Sequence, residues 1–189
     1  MKYLARYGKA VLVISIFVGI SVTIASIPTD DIMDLIGSQN SYLLMFGLGM
    51  IGGLSTFVAI PYHLILMSLA SGGLNPILLG AATALGVMGG DSLMYVVCRN
   101  LKNTFSPRLQ ATLSNLSSYF IKHPRRITPG LFLYGAISPF SNDFIVATMS
   151  LTKYPYLKTI IPLALGNCLF NIAVAYIGLY SYATIVSWF

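Results

Sequence analysis

The sequence predicts an all-α integral membrane protein. The expected architecture is an inverted repeat of two re-entrant helical hairpins, each followed by a transmembrane helix. An N-terminal transmembrane helix precedes the repeat, and an amphipathic surface helix joins its halves. Three observations lead there. Hydrophobic residues make up 56% of the 189-residue chain and charged residues 8%, where an ordinary soluble domain carries about 25% charged residues; the mean hydropathy is +0.79. Two long apolar stretches are each interrupted by a proline. All the basic residues share one side of the membrane only if both interrupted stretches turn back.

Taken in order, the first transmembrane helix is residues 10–27, preceded by Lys2, Arg6 and Lys9 and ended by "PTDDIMD". Its layout is signal-like, but further membrane segments follow, so it reads as a retained helix. Repeat one covers residues 42–98. Its first part, Tyr42–Gly72, would rise roughly 45 Å as one straight helix, against a hydrocarbon core of about 30 Å. Pro61 interrupts it, and an interior proline frees backbone groups. Such breaks survive at membrane depth only when buried in protein or lining a watery cavity. Ile77–Cys98 then reads as a spanning helix. Residues 106–122 form the surface helix: Leu109, Leu113, Leu116 and Phe120 recur on one face, with Ser106 and Pro107 as its start. Repeat two, residues 127–182, has the same design. Ile127–Leu151 is broken by Pro139 with "SND" close behind, and Tyr156–Tyr182 spans. Residues 1–189 thus form one membrane domain.

Charge sets the topology. With Lys2, Arg6 and Lys9 cytoplasmic, Asp30, Asp31 and Asp34 lie outside. A re-entrant first hairpin makes the Ile77–Cys98 helix run inward, so that Arg99, Lys102, Arg108, Lys122, Arg125 and Arg126 stay cytoplasmic. A re-entrant second hairpin keeps Lys153 and Lys158 there too. All 11 basic residues then obey the positive-inside rule. Two full helices in the first interrupted stretch would preserve that parity, but each arm is short for a crossing. The expected location is the cell membrane, multi-pass, with a cytoplasmic N-terminus.

The halves also match in sequence. Pro61 and Pro139 lie 78 residues apart, Pro76 and Pro155 lie 79 apart, and Gly86 and Asp91 lie 80 before Gly166 and Asn171. With hairpins entering from opposite sides, this is an inverted-topology repeat, whose sites lie where broken helices meet.

The net charge of +6 would suggest nucleic acid in a soluble domain; in a membrane chain it marks cytoplasmic loops, so no nucleic-acid partner is expected. Cys98 and Cys168 sit in apolar segments and imply no disulfide framework. There is no phosphate loop, metal-spaced His/Cys cluster or nucleophile motif, so neither an enzyme, a metal nor a cofactor is expected. The chemistry rests on polar groups at membrane depth. An ionisable residue there costs at least about 2.5–3.5 kcal/mol on insertion scales and needs a use or a partner. Asp91 and Asp143 are the acids; Asn142, Asn167, Asn171 and His63 are the other polar groups. Asp91, Asp143 and His63 could share a cavity and carry protons or grip a cation. The plainer alternatives are that Asp91 bonds nearby backbone, that Ser-Asn-Asp is a turn and helix cap, and that His63 is a packing residue. Arg99 is either a solvated helix-end cation or a phosphate contact.

The segment "SGGLNPILLGAATALGVMGGDSLMYVVCRN" resembles the DedA family, also called the VTT or SNARE-associated domain, at Gly73, Asn75, Gly90, Asp91, Tyr95 and Arg99. "SPFSNDFIVATMSLTKYPYLKTIIPLALGNCLFN" is similar to the family's second half at Pro139, Asn142, Asp143, Tyr154, Pro155 and Gly166. The resemblance covers roughly residues 45–180. It implies two opposed re-entrant hairpins with breaks at Pro61 and Pro139, and a lipid transporter: a flippase or scramblase of phospholipid or polyprenyl-phosphate carriers, driven in several members by proton motive force. The departures are "IPYHLIL", with His63 where many members carry an acid near the first proline, and Ala136 where many carry arginine. Membrane lipids are the expected partners, protons or cations the candidate coupling ions; self-association stays open. Two other functions compete. One is a non-transporting assembly or scaffold protein. The other is an intramembrane aspartyl protease, for which Met88 spoils the Gly-x-Gly-Asp signature.

Overall fold

A computed structural model describes residues 37–53, 62–101, 114–115, 117–120, 122–138 and 141–186. The first predicted helix, residues 10–27, both hairpin prolines, Pro61 and Pro139, and most of the surface helix lie outside the described residues. Every regular element described is a helix: α1 (Ser38–Gly52), α2 (Tyr62–Ser71), α3 (Pro76–Leu101), α4 (Pro124–Ile137), α5 (Asp143–Leu151) and α6 (Tyr156–Val186). Parts of 114–122 are also helical. α3 and α6 are long and apolar enough to cross a membrane. The other four have 15, 10, 14 and 9 residues and are too short to cross alone, since a span needs about 20.

α3 starts where it does for local reasons. The Asn75 Oδ1 accepts hydrogen bonds from the amides of Ile77 (2.9 Å) and Leu78 (3.2 Å), and Pro76 fills the first helical position, where a missing N–H costs nothing. The turn before it reverses the chain through Gly73, at φ 91°, a conformation open to glycine without penalty.

That turn recurs 80 residues on. The amides of Gly72, Gly73, Leu74 and Leu79 donate to the carbonyls of Ser68, Ala70, Leu69 and Asn75; those of Thr152, Lys153, Tyr154 and Thr159 donate to Thr148, Ser150, Met149 and Pro155. Lys153, at φ 59°, occupies the place of Gly73. The hydrogen bonds pair Asn75 with Pro155 and Pro76 with Tyr156. This corrects the sequence match of Pro76 to Pro155, which slips by one residue because proline serves different positions of the same turn. The pairing of Gly86 with Gly166 and Asp91 with Asn171 keeps the structural register.

The helix crossings recur as well. A Cβ on Gly86 would lie 2.0 Å from the Phe46 oxygen and 2.8 Å from the Met50 nitrogen; on Gly166 it would lie 2.3 Å from the Phe132 oxygen and 2.8 Å from the Ala136 nitrogen. Gly49 faces the Thr83 carbonyl and Gly135 the Leu163 carbonyl in return. These glycines let α1 pack on α3, and α4 on α6, backbone against backbone, which is how helices associate where burial supplies little drive.

The halves interlock. α2 packs chiefly on α6, and α5 chiefly on α3. One core joins Met45, Leu66, Leu69, Ala70, Leu74 and Leu79 to Ala175 of α6. The other joins Leu131, Val146, Met149, Tyr154, Ile160 and Leu163 to Tyr95 of α3. Residues 66, 69 and 74 of the first reappear as 146, 149 and 154 in the second. α3 and α6 run antiparallel: Gly80 meets Ile172, whereas the Tyr156 hydroxyl donates to Ser92 Oγ (2.8 Å). Arg99, at the end of α3, and Lys153 and Lys158, at the start of α6, therefore share one end of the molecule.

Candidate functional site

The short helices come together near mid-length of α3. Tyr42, near the start of α1, accepts from the Asn75 amide at 3.2 Å, and α1 runs along α3 until Gly53 meets Val87 and the Asp91 nitrogen. From the other end, Phe120 stands edge-on to Tyr154 and Ile127 packs on the same core, and α4 leads inward to Ser138. The Tyr134 hydroxyl donates to the Ser141 carbonyl at 3.1 Å. α5 then runs outward along α3: Asn142 lies level with Asp91, Ser150 with Tyr95. Asp91 thus sits where the inner ends of both helix pairs meet.

Asp91 is 1% exposed. The Asn142 Nδ2 donates to its Oδ2 at 2.9 Å. Asn142 is also the N-cap of α5, yet its side chain makes no capping bond. A side-chain cap contributes about 1 kcal/mol, and here the amide is directed at a buried carboxylate instead. Asp91 Oδ1 is buried with no hydrogen-bond partner. Asp143, the first residue of α5, is 4% exposed and suits the positive end of the helix dipole. The amide of Asp143 donates to Ser141 Oγ at 3.4 Å. Tyr62, from the start of α2, packs on Gly52 at the inner end of α1.

Of the residues marked in the sequence, the structure brings together Asp91, Asn142 and Asp143. His63, next to Tyr62 on α2, stands against the rings of Tyr62 (4.0 Å between centroids) and Phe170 (5.6 Å, edge-on). Arg99 is exposed, two turns beyond Asp91. Its Nη1 donates to the Tyr95 hydroxyl at 3.1 Å, which donates to the Tyr154 carbonyl, while Ser150 Oγ donates to the Tyr95 carbonyl. This network fastens α5 and its turn to α3. Its counterparts in the other half, Ala175, Leu74 and Ala70, are apolar. Tyr62 and Ser150 carried no mark in the sequence, and Tyr95 was marked only through the family resemblance. The offset of 80 residues, carried into the short helices, pairs Tyr62 with Asn142 and His63 with Asp143. Among the described residues no three His, Cys, Asp or Glu side chains converge as metal ligands. No protein-family model, curated protein or solved structure matches this chain.

Proposed function

We propose that the chain is a multi-pass membrane protein of DedA type that moves a phosphate-bearing lipid between leaflets, its headgroup passing the Asp91–Asn142–Asp143 cluster. In this reading α1–α2 and α4–α5 are re-entrant hairpins that enter from opposite faces, and α3 and α6 are the spanning helices of an inverted repeat. One observation carries the proposal. A carboxylate with an unpartnered oxygen is buried where the inner ends of two short helix pairs meet, in a chain whose outer surface presents Leu78, Leu85, Leu93, Val96, Leu165 and Leu169. In secondary transporters built from inverted repeats, sites lie at such meeting points, and ionisable groups inside a membrane mark pathways. The basic cluster of Arg99, Lys153 and Lys158 at one end would draw the headgroup phosphate.

Leaflet exchange of fluorescent phospholipid and polyprenyl phosphate in proteoliposomes tests this. Exchange should exceed that of empty vesicles and fall at least tenfold in Asp91→Asn. Exchange at the empty-vesicle rate overturns transport. The scaffold reading draws on the close glycine crossings, which a rigid assembly also needs; it expects Asp91→Asn to retain function in cells.

A further inference from the structure

We propose that Asn167, Asn171 and His63 form a second buried site, which binds a hydroxyl group. The repeat points to it. At the offset fixed by the turn hydrogen bonds, Asn171 takes the place of Asp91, Tyr62 that of Asn142 and His63 that of Asp143. The position that is acidic in one half is therefore neutral in the other, and its polar atoms are unsatisfied. Asn171 is 2% exposed and Asn167 7%. Asn171 Nδ2 donates to the Asn167 carbonyl at 2.8 Å, yet Asn171 Oδ1, Asn167 Nδ2 and His63 Nε2 are buried with no hydrogen-bond partner. The asparagines are one turn apart on α6, and His63 reaches the same turn of that helix, edge-on to the ring of Phe170. Buried polar groups in folded proteins are bonded to protein or to ordered water.

The unsatisfied atoms select the ligand. Asn171 Oδ1 needs a donor and Asn167 Nδ2 an acceptor; His63 Nε2 serves as either, by tautomer. A phosphodiester or a phosphomonoester dianion offers no donor to Asn171. An ammonium group or metal ion offers no acceptor to Asn167. A hydroxyl does both. Its source is either water or the polyol headgroup of a lipid such as phosphatidylglycerol. The site stands whether or not lipid moves, because it rests on the repeat register and the unpartnered atoms alone.

Hydroxyl-radical footprinting of the full chain tests it, since radiolysis of a bound water oxidises the side chains beside it. The chain is placed in nanodiscs of phosphatidylcholine, and in nanodiscs of phosphatidylcholine and phosphatidylglycerol. Met45, fully buried in an apolar core and intrinsically more reactive, is the reference. His63 and Phe170 should oxidise at least threefold faster than Met45 in phosphatidylcholine. An equal rate in the second membrane identifies water; a lower one identifies the headgroup hydroxyl. Asn171→Leu should bring both residues down to the Met45 rate, and Asn171→Ser should keep them labelled. Rates no higher than that of Met45 in both membranes overturn the site, as does Asn171→Leu with undiminished labelling.

Discussion

The Gly86→Ala substitution isolates what holds α1 to α3. The new Cβ would stand 2.0 Å from the Phe46 carbonyl oxygen, whereas ordinary contact begins at 3.4 Å; the shortfall is about 1.4 Å. The obstacle is backbone, so no side chain can rotate away and the helices must part. Alanine in a helix interior gains about 0.5–1 kcal/mol over glycine, and overpacking costs typically 1–3 kcal/mol. With a clash this deep the upper end applies, for a net loss of about 2 kcal/mol. In a chain of this size that lowers the melting temperature by roughly 4–8 °C. Gly130 on α4, where an added Cβ meets nothing within 4 Å, is the control: Gly130→Ala should be neutral or slightly stabilising. Thermal unfolding in detergent, followed by fluorescence-detected size exclusion, compares them. Equal stability of the two variants would refute the reasoning.

Two more outcomes follow from the same geometry. Lys153 pays for a left-handed conformation that costs about 1 kcal/mol outside glycine, so Lys153→Gly should raise the melting temperature by a few degrees and Gly73→Ala should lower it by a similar amount in the same assay. Tyr95→Phe removes the hydroxyl that links Arg99 to the Tyr154 carbonyl. It should cost about 1–1.5 kcal/mol for a lost buried hydrogen bond and expose the α5–α6 turn to limited proteolysis, whereas Leu179→Ala, at the position matching Arg99, should leave that turn protected.

Much of this fold is legible in the sequence. Apolar length marks α3 and α6, and interrupted runs mark the short helices. The positive-inside rule puts Arg99, Lys153 and Lys158 at one end, and the antiparallel α3 and α6 bring them to a common end. Register was harder to read. Prolines are visible punctuation, but Pro76 and Pro155 occupy neighbouring positions of one turn, so matching them displaces the halves by a residue. Gly86 and Gly166 are the better rulers for α3 and α6, because each is held to its place by the backbone opposite. Asp91 stood out as an acid among apolar residues. That Asn142 gives up its cap to reach it could not be read from the chain, since an asparagine before a helix ordinarily bonds its own backbone. Likewise His63 looked like a partner for the carboxylates, whereas the repeat sends it to the opposite half, against Phe170.

The account depends on one unit built twice and facing opposite ways. Asn75 and Pro155 hold matching places in the two turns, both exposed. Asn75→Cys and Pro155→Cys are made singly in a Cys98→Ala, Cys168→Ala background and probed with a membrane-impermeant maleimide on intact cells and on inverted vesicles. The account predicts that residue 75 labels only from outside and residue 155 only from the cytoplasmic side. Labelling of both from the same side would contradict it.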